Sequence, residues 1–325
     1  MLRFVVRRAL WAIPVMLVAS IIVFAAVRSA VDPVAAAARN PHTTPQALAK
    51  FKHDLGLDKS SLEQYWLWLK SFASGNWGRS QHSDAPVFPE IRSALANTLV
   101  LGLFASAITI VVGIGIGIVS ALKQYSWFDN LSTGGAFLGL SLPPFVFGLI
   151  LQIIFGTFLV TRLHRSSPVL PIAGMFSPGS SGFSLMDRVR HLILPGLTLG
   201  VQEIAVYSRY MRTSMLETLN SDYLRTARAK GLSERRVIVR HAFRNALIPI
   251  ATFAAIDIGA IAGGLIITEQ IFQYPGMGVY FINAFGNGDY SAILPWLMIV
   301  VAFVIAFNLL ADLSYAWLDP RIRLD

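Results

Sequence analysis

Side chains able to carry chemistry are few and scattered along these 325 residues. The six histidines, His42, His53, His82, His164, His191 and His241, form no HExxH pair and no spacing that gathers imidazoles around one metal ion. No cysteine is present, which removes disulfides and thiolate metal sites. No GxxxxGK(S/T) loop occurs, so the chain does not hydrolyse ATP through a P-loop. No catalytic and no metal-ligating residue is expected. The Gly/Ser run at 179–182 would need a histidine at membrane depth to act as a nucleophile, and the last two apolar stretches hold none. It reads as a flexible loop. Three acids remain. Glu203 and Asp257 fall inside apolar stretches, and Glu269 is grouped with them as a possible intramembrane polar residue. An ionisable group at membrane depth is costly, so it marks a polar pathway or pairs across a helix bundle. Both readings stay open for Asp257. For Glu203, near the basic end of its stretch, pairing or snorkelling is the simpler one.

The most informative stretch is basic. Residues 221–249, SDYLRTARAKGLSERRVIVRHAFRNALIP, lie between two apolar blocks. Two short helices fit, separated by a turn. Ser221 or Asp222 is expected to cap the first by accepting from backbone N–H groups that lack an intrahelical partner. Gly231 is expected to close it in the left-handed conformation. Ser233 would cap the second, and Pro249 would mark the start of a new segment. Arg236, Arg240 and Arg244 recur every four residues beside an apolar stripe of Val239, Phe243 and Ala246. A first helix of about eight residues is too short to be stable alone in water. A partner protein is therefore expected to hold it. Ala227 would permit close approach to a groove on that partner. Arg225, Arg228 and Lys230 would reach its acids, or serve membrane orientation only.

Composition sets the surroundings of these residues. Of the chain 54% is apolar, the mean hydropathy is +0.58 and only 14% is charged, against about a quarter in soluble domains. The solvent expected is a bilayer. The net charge of +9 gathers at the ends of apolar stretches, with no basic stripe interleaved with aromatics, which argues against a nucleic-acid partner. No internal repeat is visible.

The elements can be placed in chain order. After a basic start with Arg3, Arg7 and Arg8, residues 9–27 carry no charge, enough to cross a hydrocarbon core of about 30 Å. That run exceeds the usual signal-peptide core of roughly 7–15 residues, so a retained helix is expected. Residues 28–95 read as a small polar helical subdomain outside the membrane. It contains a helix over 44–55, with Thr44 as cap and Pro45 first, and an aromatic-faced helix over 62–72. Further spans are expected at 93–122, 130–161, 192–208, 246–268 and 290–311, the second of these kinked or broken by Pro143 and Pro144. Gly113 and Gly117 have the spacing that lets helices approach closely. The fold class is thus an all-α integral membrane protein with six transmembrane helices, an external helical subdomain after the first and a cytoplasmic loop before the fifth. Its divisions are 1–27, 28–95, a five-helix core at 96–316 with the loop 209–245, and a tail at 317–325. One side holds fifteen Lys and Arg residues in its short loops, nine of them within 209–244. The other holds four within 162–190 and none within 269–289. Both termini are expected in the cytoplasm, with the four in 162–190 discordant.

Segments spread over nearly the whole chain resemble the B-type permease subunit of the dipeptide/oligopeptide family of ABC importers. They include LRFVVRRALWAIPV at 2–15, LGLDKSSLEQYWLWL at 55–69, GNWGRS at 75–80, SLPPF at 141–145 and HLILPGLTLG at 191–200. YLRTARAKGLSERRVIVRHAFRNALIP at 223–249, EQIFQYPGMG at 269–278, DY at 289–290 and LDPRIR at 318–323 complete the set. The resemblance implies that the 222–232 segment is similar to the coupling loop called the EAA motif, whose short helix sits in a groove on an ATPase subunit. Its residues here are Asp222, Tyr223, Leu224, Arg225, Thr226, Ala227, Arg228, Ala229, Lys230, Gly231 and Leu232. Arg225 and Thr226 stand where Glu and Ala are usual, while Ala227 and Gly231 keep their places. The 29–33 stretch lacks the glycine of the usual PGDP-like turn, and Ser291 replaces an expected proline. The family further implies a multi-pass protein of the bacterial inner membrane, surrounded by lipid and without enzymatic activity or cofactor of its own. Its partners would be a second homologous permease, two ATP-binding subunits carrying ATP and Mg, and an extracytoplasmic substrate-binding protein. The substrates implied are di- and oligopeptides. The competing class is a stand-alone ion- or proton-coupled secondary transporter, which often shows inverted repeats and several intramembrane charges.

Overall fold

Apolar runs bounded by arginine become long helices, because lipid offers backbone N–H and C=O groups no other partner. The computed structural model describes residues 2–38, 44–54, 56–179, 183–261 and 265–318. The Ser/Gly residues 180–182 and the tail from 319 onward lie outside the described residues. Within the described residues every extended element is helical, and Arg79 forms an isolated antiparallel bridge with Pro86. The order is α1 (Leu2–Ala30), α2 (Pro33–Ala38), α3 (Pro45–Asp54), α4 (Ser61–Ala73), α5 (Val87–Leu122) and α6 (Trp127–Ser141). Next, α7 (Pro144–Ile153) passes through a π turn at Ile154–Phe158 into α8 (Leu159–Arg162). Then come α9 (Leu185–Leu219), α10 (Asp222–Ala229) and α11 (Glu234–Arg236). A second π turn (Val237–Ala242) leads into α12 (Phe243–Ala260), followed by α13 (Ile266–Ile271), α14 (Met277–Gly286) and α15 (Tyr290–Leu318).

Four stretches among the described residues are long and apolar enough to cross a membrane: Val6–Ala30, Val87–Leu122, Pro144–Arg162 and Tyr290–Leu309. They expose large apolar side chains such as Trp11, Ile22, Val111 and Ile153, the surface expected where lipid is the solvent. The expected stretches 192–208 and 246–268 differ. α9 is long, but Arg188, Arg190, Glu203 and Arg209 interrupt its apolar content. The expected span 246–268 is broken: α12 ends at Ala260, and Thr268 and Glu269 belong to the separate α13. Nor does a segment begin at Pro249, which lies inside α12, where the helix forgoes one N–H bond. The 130–161 stretch divides between α6 and α7 as its prolines require, and Gln202 Nε2 donates to the Leu142 carbonyl at the break (2.9 Å).

α5 and α9 form the spine. A Cβ added at Gly113 would lie 2.7 Å from Tyr207 Cβ, and one at Gly117 would lie 2.6 Å from Met211 Cβ. Glycine at both positions is what allows this approach. The layer between α1 and α5 rests on α1 and α15. Thr44 caps α3 by accepting from Ala47 N (3.2 Å), and a Ser60/Glu63 capping box opens α4. The rings of Phe24, Tyr65, Trp68 and Tyr290 meet beneath α4, and the Ser20 and Tyr65 hydroxyls lie 2.8 Å apart. Ser80 Oγ donates to buried Asp289 (2.5 Å), fixing the preceding loop to the start of α15.

Candidate functional site

The basic segment leaves α9 at Leu219 and turns at once into α10. Ser221 stands at the N-cap with extended backbone, yet its hydroxyl donates to Thr218 O (2.5 Å) and does not accept from the helix. Asp222 places negative charge in the first turn, where the helix dipole favours it. The other end is closed as expected. Gly231 has φ +76°, its N–H donates to Arg228 O (2.9 Å), and Leu232 N–H donates to Ala227 O (3.3 Å). These paired bonds satisfy carbonyls that the helix leaves free.

α10 is anchored by this chain itself. Leu224 is fully buried among Met211 and Met215 of α9 and Val237, Ala242 and Ala246 beyond the turn. Ala227 packs half-buried on the same cluster. The short helix is thus held in part by its own chain. Asp222, Tyr223, Arg225, Thr226, Arg228, Ala229 and Lys230 face outward. Arg228 is already engaged: its guanidinium donates to both carboxylate oxygens of Glu234 (3.1 and 2.9 Å), which holds the Glu234 carboxyl below its usual range. Arg225 reaches Asp222 at 3.4 Å.

Ser233 stands at the N-cap of α11, but its side chain makes no capping bond. The second helix is not a separate one, because α11 runs through the π turn into α12. The extra residue of that turn rotates α12 by about 100° relative to α11. Val239, expected on the apolar stripe, is 58% exposed, while Val237 and Ala242 are buried. Arg236, Arg240 and Arg244 stay on the outer face. Asn245 Nδ2 donates to His241 O (2.8 Å) and to the Tyr223 hydroxyl (3.2 Å), tying the π turn to α10.

Glu203 and Asp257 come together at a cavity of about 150 Å³ between α5, α9 and α12, whose walls include Gly102, Ser106 and Thr109. The Tyr207 hydroxyl donates to Asp257 Oδ2 at 3.4 Å. Glu203 Oε2 is buried without a hydrogen-bond partner among the described residues. Neither acid has a cation opposite it among the described residues, so pairing across the bundle with a basic residue does not describe this site. Glu269 stands apart. It is fully buried and accepts from Thr98 Oγ1 (2.6 Å), Gly278 N (2.6 Å) and Val279 N (3.3 Å). Thr98 Oγ1 in turn accepts from Met277 N (2.7 Å). Glu269 therefore caps α14 and does not line the cavity.

A second ionic site escaped the sequence reading. Arg212 forks onto Asp129 (2.7 and 2.8 Å), and Ser120 Oγ and Tyr125 N also donate to that carboxylate. This joins α5, α6 and α9 near the end from which α10 departs. Ser126 accepts from Asp129 N (3.3 Å) at the start of α6, but nothing local in the sequence points to Arg212.

Residues 113–324 match the family model described as binding-protein-dependent transport system inner membrane component. Residues 1–113 match the corresponding N-terminal membrane-component model. The chain is similar to the dipeptide transport system permease protein of Alkalihalophilus pseudofirmus, at 37% identity over 99% of this chain and 100% of that one. It is 35% identical to the oligopeptide transport system permease protein of Bacillus subtilis, over 99% and 100% of the two chains. The dipeptide transport system permease protein of Escherichia coli is 36% identical over 99% of each.

Proposed function

The chain belongs to the family of binding-protein-dependent transport system inner membrane components, and from that premise we propose that it is one permease subunit of an ATP-driven importer of di- and oligopeptides. Similarity along the whole chain to proteins named as dipeptide and oligopeptide permeases carries this reading, and nothing favours a stand-alone secondary transporter. In it α1, α5, the broken α6–α8 unit, α9, α12 and α15 are the six spans, with both termini in the cytoplasm. A second homologous permease completes the path, two ATPase subunits carry the ATP and Mg, and a binding protein delivers substrate from outside. The outward face of α10 docks on an ATPase subunit. Closure of the ATPases on ATP pushes α10 and alternates access to the path. Leu224 supports the mechanical step: close-packed interiors transmit displacement, and its pocket includes residues of α9 and of the run into α12. The Glu203–Asp257 cavity lies along that path.

Reconstituted assemblies test the reading. Gly231→Val forces a side chain into a conformation costing roughly 1–2 kcal/mol, and Leu224→Ala empties the anchor. Both variants should insert, yet lose binding-protein-stimulated ATPase activity and uptake together. Normal stimulation in both would remove α10 as the coupling element. Peptide uptake by vesicles holding this chain alone would remove the importer reading.

A further inference from the structure

Arg209 of α9 is a cation with no carboxylate partner among the described residues, whereas Arg212, one turn further on, forks onto Asp129. The Arg209 guanidinium lies 5.2 Å over the ring of Phe137 on α6. α6 and α9 run antiparallel: Asp129 meets Arg212 at one end, and Leu142 meets Gln202 at the other. Phe137 is thus displaced from the Asp129–Arg212 bridge toward the middle of the span by roughly 12 Å along α6. Beside this cation is an open cleft of about 310 Å³, lined by Leu140, Val206, Arg209, Tyr210 and Thr213. It offers a guanidinium, a phenol and a hydroxyl against aliphatic walls. Its rim is apolar: Phe137, whose ring lies under the Arg209 guanidinium, is more than half exposed. Tyr125 and Trp127, where α6 begins, are exposed aromatics of the kind found at headgroup level.

We propose that this cleft binds an anionic phospholipid, its phosphate on Arg209 and Thr213 and its acyl chains along Phe137, Leu140 and Val206. A guanidinium matches phosphate geometry, and basic pockets between transmembrane helices on the cytoplasmic side recognise anionic headgroups. The apolar rim favours a lipid over a soluble anion, because a phosphate or carboxylate without chains would leave that rim unused. The inference takes its membrane side from the proposed orientation but does not depend on transport.

Native mass spectrometry of the purified full-length chain, titrated with phosphatidylglycerol in neutral detergent, tests it. Wild type should retain one tightly held lipid, and Arg209→Gln should lower its affinity by about fivefold, the effect of one basic residue beside an anionic headgroup. Arg209→Lys should retain part of the affinity, and Lys123→Gln all of it. Excess inorganic phosphate should not displace the lipid. Equal retention by wild type and Arg209→Gln overturns the proposal. Displacement by inorganic phosphate or an acidic dipeptide also overturns it and assigns the cleft to a soluble anion. If Arg209→Gln loses helical content by circular dichroism, Arg209→Lys and Thr213→Val carry the test: unchanged retention in both overturns it.

Discussion

Asp129 and Asp257 are two carboxylates with opposite surroundings. Arg212 forks onto Asp129, and Ser120 and Tyr125 also donate to its carboxylate. Asp129→Asn should cost about 3 kcal/mol at neutral pH, because Arg212 is left largely buried and uncompensated. Thermal unfolding in detergent should show the variant melting below wild type, and equal melting temperatures would contradict the assignment. Among the described residues Asp257 has a long bond from Tyr207 and a second acid nearby. Asp257→Asn should reduce uptake several-fold while leaving assembly intact, whereas wild-type uptake by Asp257→Leu would show the carboxylate to be incidental. Acids at membrane depth were legible in the sequence because charge inside an apolar run is visible locally. That Glu203 and Asp257 share a cavity, and that Asp129 meets a residue 83 positions away, was not, since the fold alone brings them together.

Among the elements, those closed by local chemistry were legible: Thr44 before α3, the prolines between α6 and α7, and Gly231 after α10. The π turn at Val237–Ala242 was not. One extra residue leaves composition unchanged, and arginines at every fourth position read as an uninterrupted helix. Its consequence is mechanical, because it sets the rotation of α10 and α11 relative to α12. Deleting exposed Val239 should restore a regular helix and turn the two sides by about 100° relative to each other. Leu224 would then miss Met211 and Met215. The variant should insert, become more sensitive to limited proteolysis across 219–232 and lose uptake. Retained protection and uptake would show the π turn to be dispensable.

For the whole molecule, membrane orientation rests on how arginine and lysine are distributed. The discordant loop 162–190 is instructive, because most of its arginines are engaged in folded structure. Arg188 lies 5.1 Å over Phe176 and donates to Asn97 Oδ1 (3.2 Å) and the Tyr274 hydroxyl (3.4 Å). Arg190 donates to Val169 O (3.1 Å), and Arg162 lies 5.8 Å over Phe158. Charges held this way serve the fold as well as orientation, a difference that counting along the sequence cannot register. Against them stands the cluster within 209–244, much of it on the outer faces of α10, α11 and the run into α12. On the positive-inside tendency we therefore propose that α10 lies on the cytoplasmic side, with the α1–α5 subdomain and α14 opposite. Fusions of a reporter active only outside the cytoplasm should be active at Gly75 and Gly286 and silent at Ser233, with the reverse pattern for a reporter that matures only inside. The Ser233 result matters most, because α10 can meet ATP-binding subunits only on the side where ATP is present. An active external reporter at Ser233 would invert the molecule and leave the basic face of α10 without its proposed partner.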